Sequence, residues 1–88
     1  MSIADDFSAS QVRVKELKQP PSTDELLELY GLYKQATAGD VQGKRPGMLD
    51  FKERAKYDAW AARKGTDSQT AMQAYVALVA RLLEKYGS

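Results

Sequence analysis

The chain has 88 residues, 13 basic and 12 acidic side chains, a net charge of +1, no cysteine and no histidine. That length supports one domain with one modest core. The missing cysteine and histidine exclude disulfides, thiolate or imidazole chemistry and the commonest metal sites. Near-neutral charge argues against a general nucleic-acid binder, and no apolar run approaches the roughly 20 residues of a membrane span.

The first helical segment is expected from about Ile3 to Leu17. Phe7, Val14 and Leu17 fall near one face, and Pro20-Pro21 end it. The start, Met1-Ser2-Ile3-Ala4-Asp5-Asp6, has neither the basic head nor the apolar stretch of a signal peptide, so a soluble, cytoplasmic protein is expected.

The second segment opens on Ser22-Thr23-Asp24-Glu25, a capping box in which the Ser hydroxyl accepts from the Glu25 amide and the Glu carboxylate reaches back. Leu26, Leu29, Tyr30 and Tyr33 make its stripe, with Leu27 beside it, and Gly39 is its stop. A stretch without period follows, from Gly39 to Leu49, with three Gly and one Pro. It is long for a helix–helix connection, and such loops are commonly functional. Met48-Leu49 at its end is expected to pack down onto the protein.

The third segment is expected from Asp50, with Glu53 three residues on, to about Lys64. Ala55, Ala59 and Ala62 permit close helix approach, and Gly65 ends it. The fourth opens on Thr66-Asp67-Ser68-Gln69, read as another capping box. Met72, Tyr75, Val76, Val79, Leu82, Leu83 and Tyr86 give it the clearest amphipathic stripe in the chain. No segment shows strand alternation, so the fold class is an all-α four-helix bundle with one long connection.

Charge is unevenly spread. Residues 1–43 are net acidic, whereas residues 44–64 carry Lys44, Arg45, Lys52, Arg54, Lys56, Arg63 and Lys64 against Asp50, Glu53 and Asp58. A short basic segment in a neutral protein suits a compact anionic ligand better than a long polyanion. Tyr30, Tyr33, Lys34 and Thr37 share one helix surface by their spacing. Rings there can stack on a flat base and an ammonium can meet a phosphate. The plainer reading is two core-edge tyrosines and a solvated lysine. Lys52 and Lys56, four apart, repel slightly unless an anion lies beside them; otherwise they are a solvated face. Tyr75 and Trp60 read more plainly as packing residues than as ligand contacts. Lys44-Arg45-Pro46-Gly47 lacks the spacing of a phosphate-binding Walker loop. No acid–base pair or nucleophile elbow is visible, which points to a binding protein and away from an enzyme.

Three runs bring these residues into a known order: Tyr30-Gly31-Leu32-Tyr33-Lys34-Gln35-Ala36-Thr37-Ala38-Gly39-Asp40, Arg45-Pro46-Gly47-Met48-Leu49-Asp50-Phe51-Lys52, and Ala55-Lys56-Tyr57-Asp58-Ala59-Trp60. Together they closely resemble the acyl-CoA-binding protein family, also called diazepam-binding inhibitors. Phe7, Lys64-Gly65-Thr66, Ala71-Met72-x-Ala74-Tyr75 and Lys85-Tyr86-Gly87 extend the resemblance over essentially the whole chain.

The resemblance implies one domain over residues 1–88, a bundle of up-down-down-up topology, and a crossover loop that lets the second and third helices run parallel. It implies a monomer that binds medium- to long-chain fatty acyl-CoA without transforming it and needs no cofactor. Such a carrier shields, buffers and transports its ligand, with acyl-CoA-using enzymes or membranes as transient recipients and no role for nucleic acid. By the family motif, Tyr30, Lys34 and Lys56 would hold the 3′-phosphate of CoA and Tyr33 would pack on adenine. Lys15 and Lys52 would meet phosphates or the CoA head, and Tyr75 would close the site from the fourth helix. Leu26, Leu27 and Ala55 would line the acyl groove.

Gln11, Leu26 and Tyr57 depart from the family's common Ala, Met and Trp, and none removes an expected phosphate contact. Two other readings stay open: an interaction peptide that keeps the fold with its groove closed, and a nucleic-acid-binding bundle through residues 44–64.

Overall fold

The computed structural model describes residues 2–87, in which four α-helices and no strand occur: α1 (Ile3–Arg13), α2 (Thr23–Ala38), α3 (Phe51–Ala61) and α4 (Ser68–Tyr86). A 3-10 turn, Val14–Glu16, follows α1.

The expected first helix is therefore shorter as an α-helix, and its last turn is tighter. At three residues per turn, side chains three apart eclipse. Val14 and Leu17 accordingly both pack against the core.

The α2 capping box forms as its residue spacing requires. Ser22 Oγ accepts from the Glu25 amide at 3.2 Å, and Glu25 Oε1 accepts from the Ser22 amide at 2.8 Å. Gly39 takes φ 85° at the other end, a value that disfavours any residue with a Cβ.

Two caps differ from expectation. Asp50 precedes α3 but makes no side-chain cap. Its ψ of 68° departs from the extended value near 160° that aims the Ser22 and Asp67 side chains at their helices, and its N–H closes a turn onto Gly47 O. For α4 the cap is Asp67, one residue after Thr66: its carboxylate accepts from the Thr70 amide at 2.7 Å. That bond holds the Asp67 carboxyl below the usual range. The end of α3 also comes early, at Ala61, because Arg63 and Lys64 close shorter i to i+3 bonds before Gly65 at φ 90°.

The core is formed by Phe7 of α1, Leu29, Leu32 and Ala36 of α2, and Ala71, Tyr75, Leu78, Val79 and Leu82 of α4. No residue of α3 is buried, and among the other helices α3 packs on α2 alone.

Polar contacts give the helix directions. Ser68 Oγ at the start of α4 donates to Ala36 O at the end of α2. Tyr86 and Lys85 at the end of α4 bond Glu25 at the start of α2, so α2 and α4 are antiparallel. Lys18 N–H, just past α1, donates to Gly87 O, just past α4, while Phe7 sits against Tyr75. Thus α1 and α4 run the same way. Trp60 Nε1 in the last turn of α3 donates to Gly39 O at the end of α2, so those two are parallel. The topology is up-down-down-up, and residues 39–50 make the crossover. They must travel back along α3, about 16 Å at 1.5 Å per residue, which a tight turn cannot span.

The crossover is pinned at several points. Arg45 makes a bidentate pair with Asp58 at 2.8 and 2.6 Å, and Tyr57 Oη donates to Gly43 O at 3.1 Å. Asp40 Oδ1 accepts from the Gly65 amide and from Gln35 Nε2, both at 2.8 Å. Met48 and Leu49 do not pack down as expected. They are 75% and 93% exposed, at the corner of the Gly47–Asp50 turn, where α3 has only α2 beside it.

Candidate functional site

Because α2 and α3 are parallel and in contact with each other, their N-terminal halves face each other along a groove. It holds about 650 Å³, within the size of ligand clefts. From α2 come Thr23, Leu26, Leu27 and Tyr30; from α3 come Phe51, Lys52, Ala55 and Lys56. Each set is spaced at three and four residues, so each is one helix face. The floor is apolar, and the charges are two lysines from α3.

Close approach sets the groove's closed end. Gly31 lies where any Cβ would sit 2.4 Å from the Ala59 carbonyl oxygen, so α2 and α3 touch backbone to backbone there. One turn earlier on each helix, Leu27 and Ala55 line the open groove.

The groove thus brings together six of the expected site residues: Tyr30, Lys52, Lys56, Leu26, Leu27 and Ala55. Lys56 Nζ lies 5.5 Å from the Tyr30 ring centroid and 3.6 Å from Glu53 Oε1. An ammonium held on an aromatic face is partly stripped of water yet keeps donors free for an anion.

Lys34 is one turn along α2, outside the lining, with its Nζ 4.9 Å from the Trp60 ring centroid. Trp60 therefore has two structural duties: anchoring Gly39 through its indole N–H and seating Lys34 on its face.

Tyr33 and Tyr75 form a separate cluster around Phe7. Tyr33 is 38% exposed and stacks on Phe7 with centroids 6.1 Å apart; Tyr75 is 5% exposed and meets Phe7 edge-on at 5.0 Å. Burial pushes the Tyr75 phenol up, with the nearby Tyr33 adding to it, so it stays neutral. Tyr75 is a floor beneath Phe7 and Tyr33. Lys15 is exposed on the 3-10 turn and has no part in the groove lining.

Two groove residues, Thr23 and Phe51, were not foreseen from the sequence. Both were within reach of spacing: Thr23 stands three and four before Leu26 and Leu27, and Phe51 four before Ala55. Of the departures, Tyr57 spends its hydroxyl on the crossover, and Gln11 Nε2 donates to Phe7 O at 3.4 Å, a bond within α1. Leu26 stands half exposed on the groove wall.

The family described as acyl CoA binding protein matches residues 4–79 of this chain. The chain belongs to the acyl-CoA-binding protein family. The acyl-CoA-binding protein of Brassica napus is 49% identical over 88 residues, covering 100% of this chain and 96% of its own length. Acyl-CoA-binding protein homolog 1 of Caenorhabditis elegans is 50% identical over 82 residues, covering 93% of this chain and 95% of its own. The crystal structure of Oryza sativa acyl-CoA-binding protein 2 superposes with a TM-score of 0.90 at 40% identity, over 96% of this chain and 93% of that one. Acyl-CoA-binding proteins are all-α acyl-CoA carriers; they are not enzymes and use no cofactor. Among the described residues no helix is long and apolar enough to cross a membrane, and no group of three acidic side chains is placed to hold a metal ion.

Proposed function

We propose that this chain is one acyl-CoA-binding domain that takes medium- to long-chain fatty acyl-CoA into the α2–α3 groove, without covalent chemistry, and shields, buffers and transports it. The observation that carries the reading is the groove itself: an apolar trough with Tyr30, Lys52 and Lys56 along it and Lys34 one turn away. Leu26, Leu27, Ala55 and Phe51 take the acyl chain. Tyr30, Lys34 and Lys56 hold the 3′-phosphate, Tyr33 offers its open face to adenine, and Lys15 and Lys52 add positive charge toward the remaining phosphates. Tyr75 closes the site from below by fixing Phe7 and Tyr33.

Magnitudes divide the labour. A charge-assisted bond to phosphate contributes about 1.5–3 kcal/mol, so two or three of them fix pose and ligand class. Each buried methylene adds at most about 0.8 kcal/mol, so affinity grows with chain length and free CoA binds much more weakly than its esters. The groove is open, which the carrier reading requires and an interaction peptide with a closed groove does not. The interspersed acids Asp50, Glu53 and Asp58 weigh against nucleic acid. The proposed setting is cytoplasmic and monomeric, with enzymes or membranes that use acyl-CoA as transient recipients.

Isothermal titration with palmitoyl-CoA tests the reading. Heat and saturation are expected for the wild type, with at least about tenfold weaker binding after Tyr30→Ala or Lys34→Ala. No binding of any ester from octanoyl to eicosanoyl would sink it.

A further inference from the structure

The corner that begins α3 is unusual. The turn Gly47–Asp50 carries Met48 and Leu49 at its two central positions, and Phe51 follows at once. These three side chains are 75%, 93% and 76% exposed, the largest run of apolar exposure on the molecule's described surface. Isolated exposed apolar residues need no explanation, but three within four positions on a projecting corner form a patch. The corner is also held out rigidly. The Arg45–Asp58 pair and the Tyr57–Gly43 bond pin the crossover before it, and α3 continues from it directly.

Its size and charge indicate what covers it. Three side chains offer a few hundred Å², against the roughly 800 Å² per partner of a stable protein–protein contact, so a second copy of the chain or a globular partner is poorly matched. Lys44 and Lys52 are exposed on either side in sequence, with Arg54 a turn on. Against them stands Asp50, while Glu53 faces Lys56 and Asp58 faces Arg45. The corner is therefore locally cationic. Apolar side chains at a tip with basic neighbours match the boundary between acyl chains and anionic headgroups of a lipid surface.

We propose that the Met48–Leu49–Phe51 corner is a lipid-docking element, which inserts shallowly into an anionic bilayer while Lys44 and Lys52 meet lipid phosphates. Phe51 and Lys52 also line the groove, so docking sets the groove mouth at the lipid surface. Docking of the empty chain needs no ligand in the groove, so it can be tested apart from acyl-CoA binding. Such binding is weak and reversible, since no single short insertion matches a lipid anchor.

Vesicle flotation without any acyl-CoA tests this. The full chain is mixed with vesicles of pure phosphatidylcholine and of equimolar phosphatidylcholine and phosphatidylserine. Wild type is expected to float with the anionic vesicles and to a lesser extent with the neutral ones. Met48→Ser with Leu49→Ser, at positions outside the groove lining, should lower the partition coefficient at least about tenfold on both. Lys44→Glu should lower it on the anionic vesicles only. Each serine variant alone, at an exposed position, gives the same direction at smaller amplitude, so a misfolded pair would not block the test. The proposal is overturned if the wild type floats with neither vesicle or if the serine variants partition like wild type. It is also overturned if sedimentation shows a wild-type dimer that the serine pair abolishes, which would assign the corner to a second copy of the chain.

Discussion

Replacing Gly31 by Ala is expected to act on stability and on the groove at once. The added Cβ would lie 2.4 Å from the Ala59 carbonyl oxygen, 2.9 Å from its carbon and 3.4 Å from the Trp60 amide nitrogen. These are backbone atoms, so no side chain can swing aside. Relief requires α3 to move away from α2 by on the order of 1 Å, a small-to-large strain that costs about 1–3 kcal/mol. Ala is the better helix former by about 1 kcal/mol, which offsets part of it. A net loss of up to about 2 kcal/mol, at roughly 4–8 °C per kcal/mol in a chain of this size, lowers Tm by up to about 16 °C. The same movement carries Lys52 and Lys56 with α3 and Trp60 away from Lys34. Weakening one charge-assisted phosphate bond by about 1 kcal/mol raises Kd for palmitoyl-CoA roughly fivefold. Calorimetric melting and isothermal titration read the two effects separately. Gly47→Ala is the control: nothing lies within 4 Å of its Cβ position, so it should be neutral to slightly stabilising. An unchanged or raised Tm for Gly31→Ala, together with unchanged affinity, would refute the backbone contact between α2 and α3.

Three further expectations rest on named contacts. The Glu25 carboxyl is held down to about 2 from the usual 4.5, first by the Tyr86 hydroxyl, then by the Ser22 amide and Lys85. A carboxyl lowered on folding stabilises the fold above 4.5 and loses that contribution as pH falls toward 2. Glu25→Gln, which can still complete a capping box, should therefore melt below wild type at neutral pH, with the gap closing across that window. Phe7→Ala should cost about 3–5 kcal/mol in a denaturant titration, since the ring joins Tyr33 and Tyr75 at the α1–α2–α4 junction. Glu53→Gln removes the carboxylate 3.6 Å from Lys56 Nζ and should tighten palmitoyl-CoA binding about two- to fivefold. The ester of 3′-dephospho-CoA should gain nothing, and an equal gain for both ligands would detach Lys56 from the 3′-phosphate.

Residues whose role is set by near neighbours in sequence were readable without coordinates. Ser22 and Glu25 cap α2 as their spacing demands, and Tyr75, Val79 and Leu82 of the expected α4 stripe are core, joined by Leu78, which the stripe did not include. Tyr75, read from its stripe as a packing residue, is buried against Phe7. The long connection was visible in the sequence, the family resemblance implied that it is a crossover, and α2 and α3 do run parallel. What failed depended on distant context. Asp50 has a capping residue type, but its backbone, at the end of the Gly47–Asp50 turn, has ψ 68° and not the extended value a cap uses. Met48 and Leu49 are apolar, but hydrophobicity alone cannot tell a buried loop end from a projecting one; that depends on whether a third helix stands behind α3. Thr23 and Phe51 entered the groove because two parallel faces align, a register no single segment contains.

The dependence of α3 on α2 alone has a thermodynamic side. Three helices share the interior, while the fourth buries none of its residues fully. Such an element opens at a lower free energy than the whole domain. On the proposed reading, an acyl chain in the groove would supply the second apolar neighbour that α3 lacks, coupling occupancy and the ordering of α3 by mass action. At a ligand concentration one hundred times Kd the coupling reaches about 2.7 kcal/mol. Amide exchange should therefore slow on loading far more along residues 51–61 than along the interior face of α4. The cargo, while bound, would act as the missing piece of the carrier's own interior, and a scarce ligand would leave a chain that opens sooner to proteases.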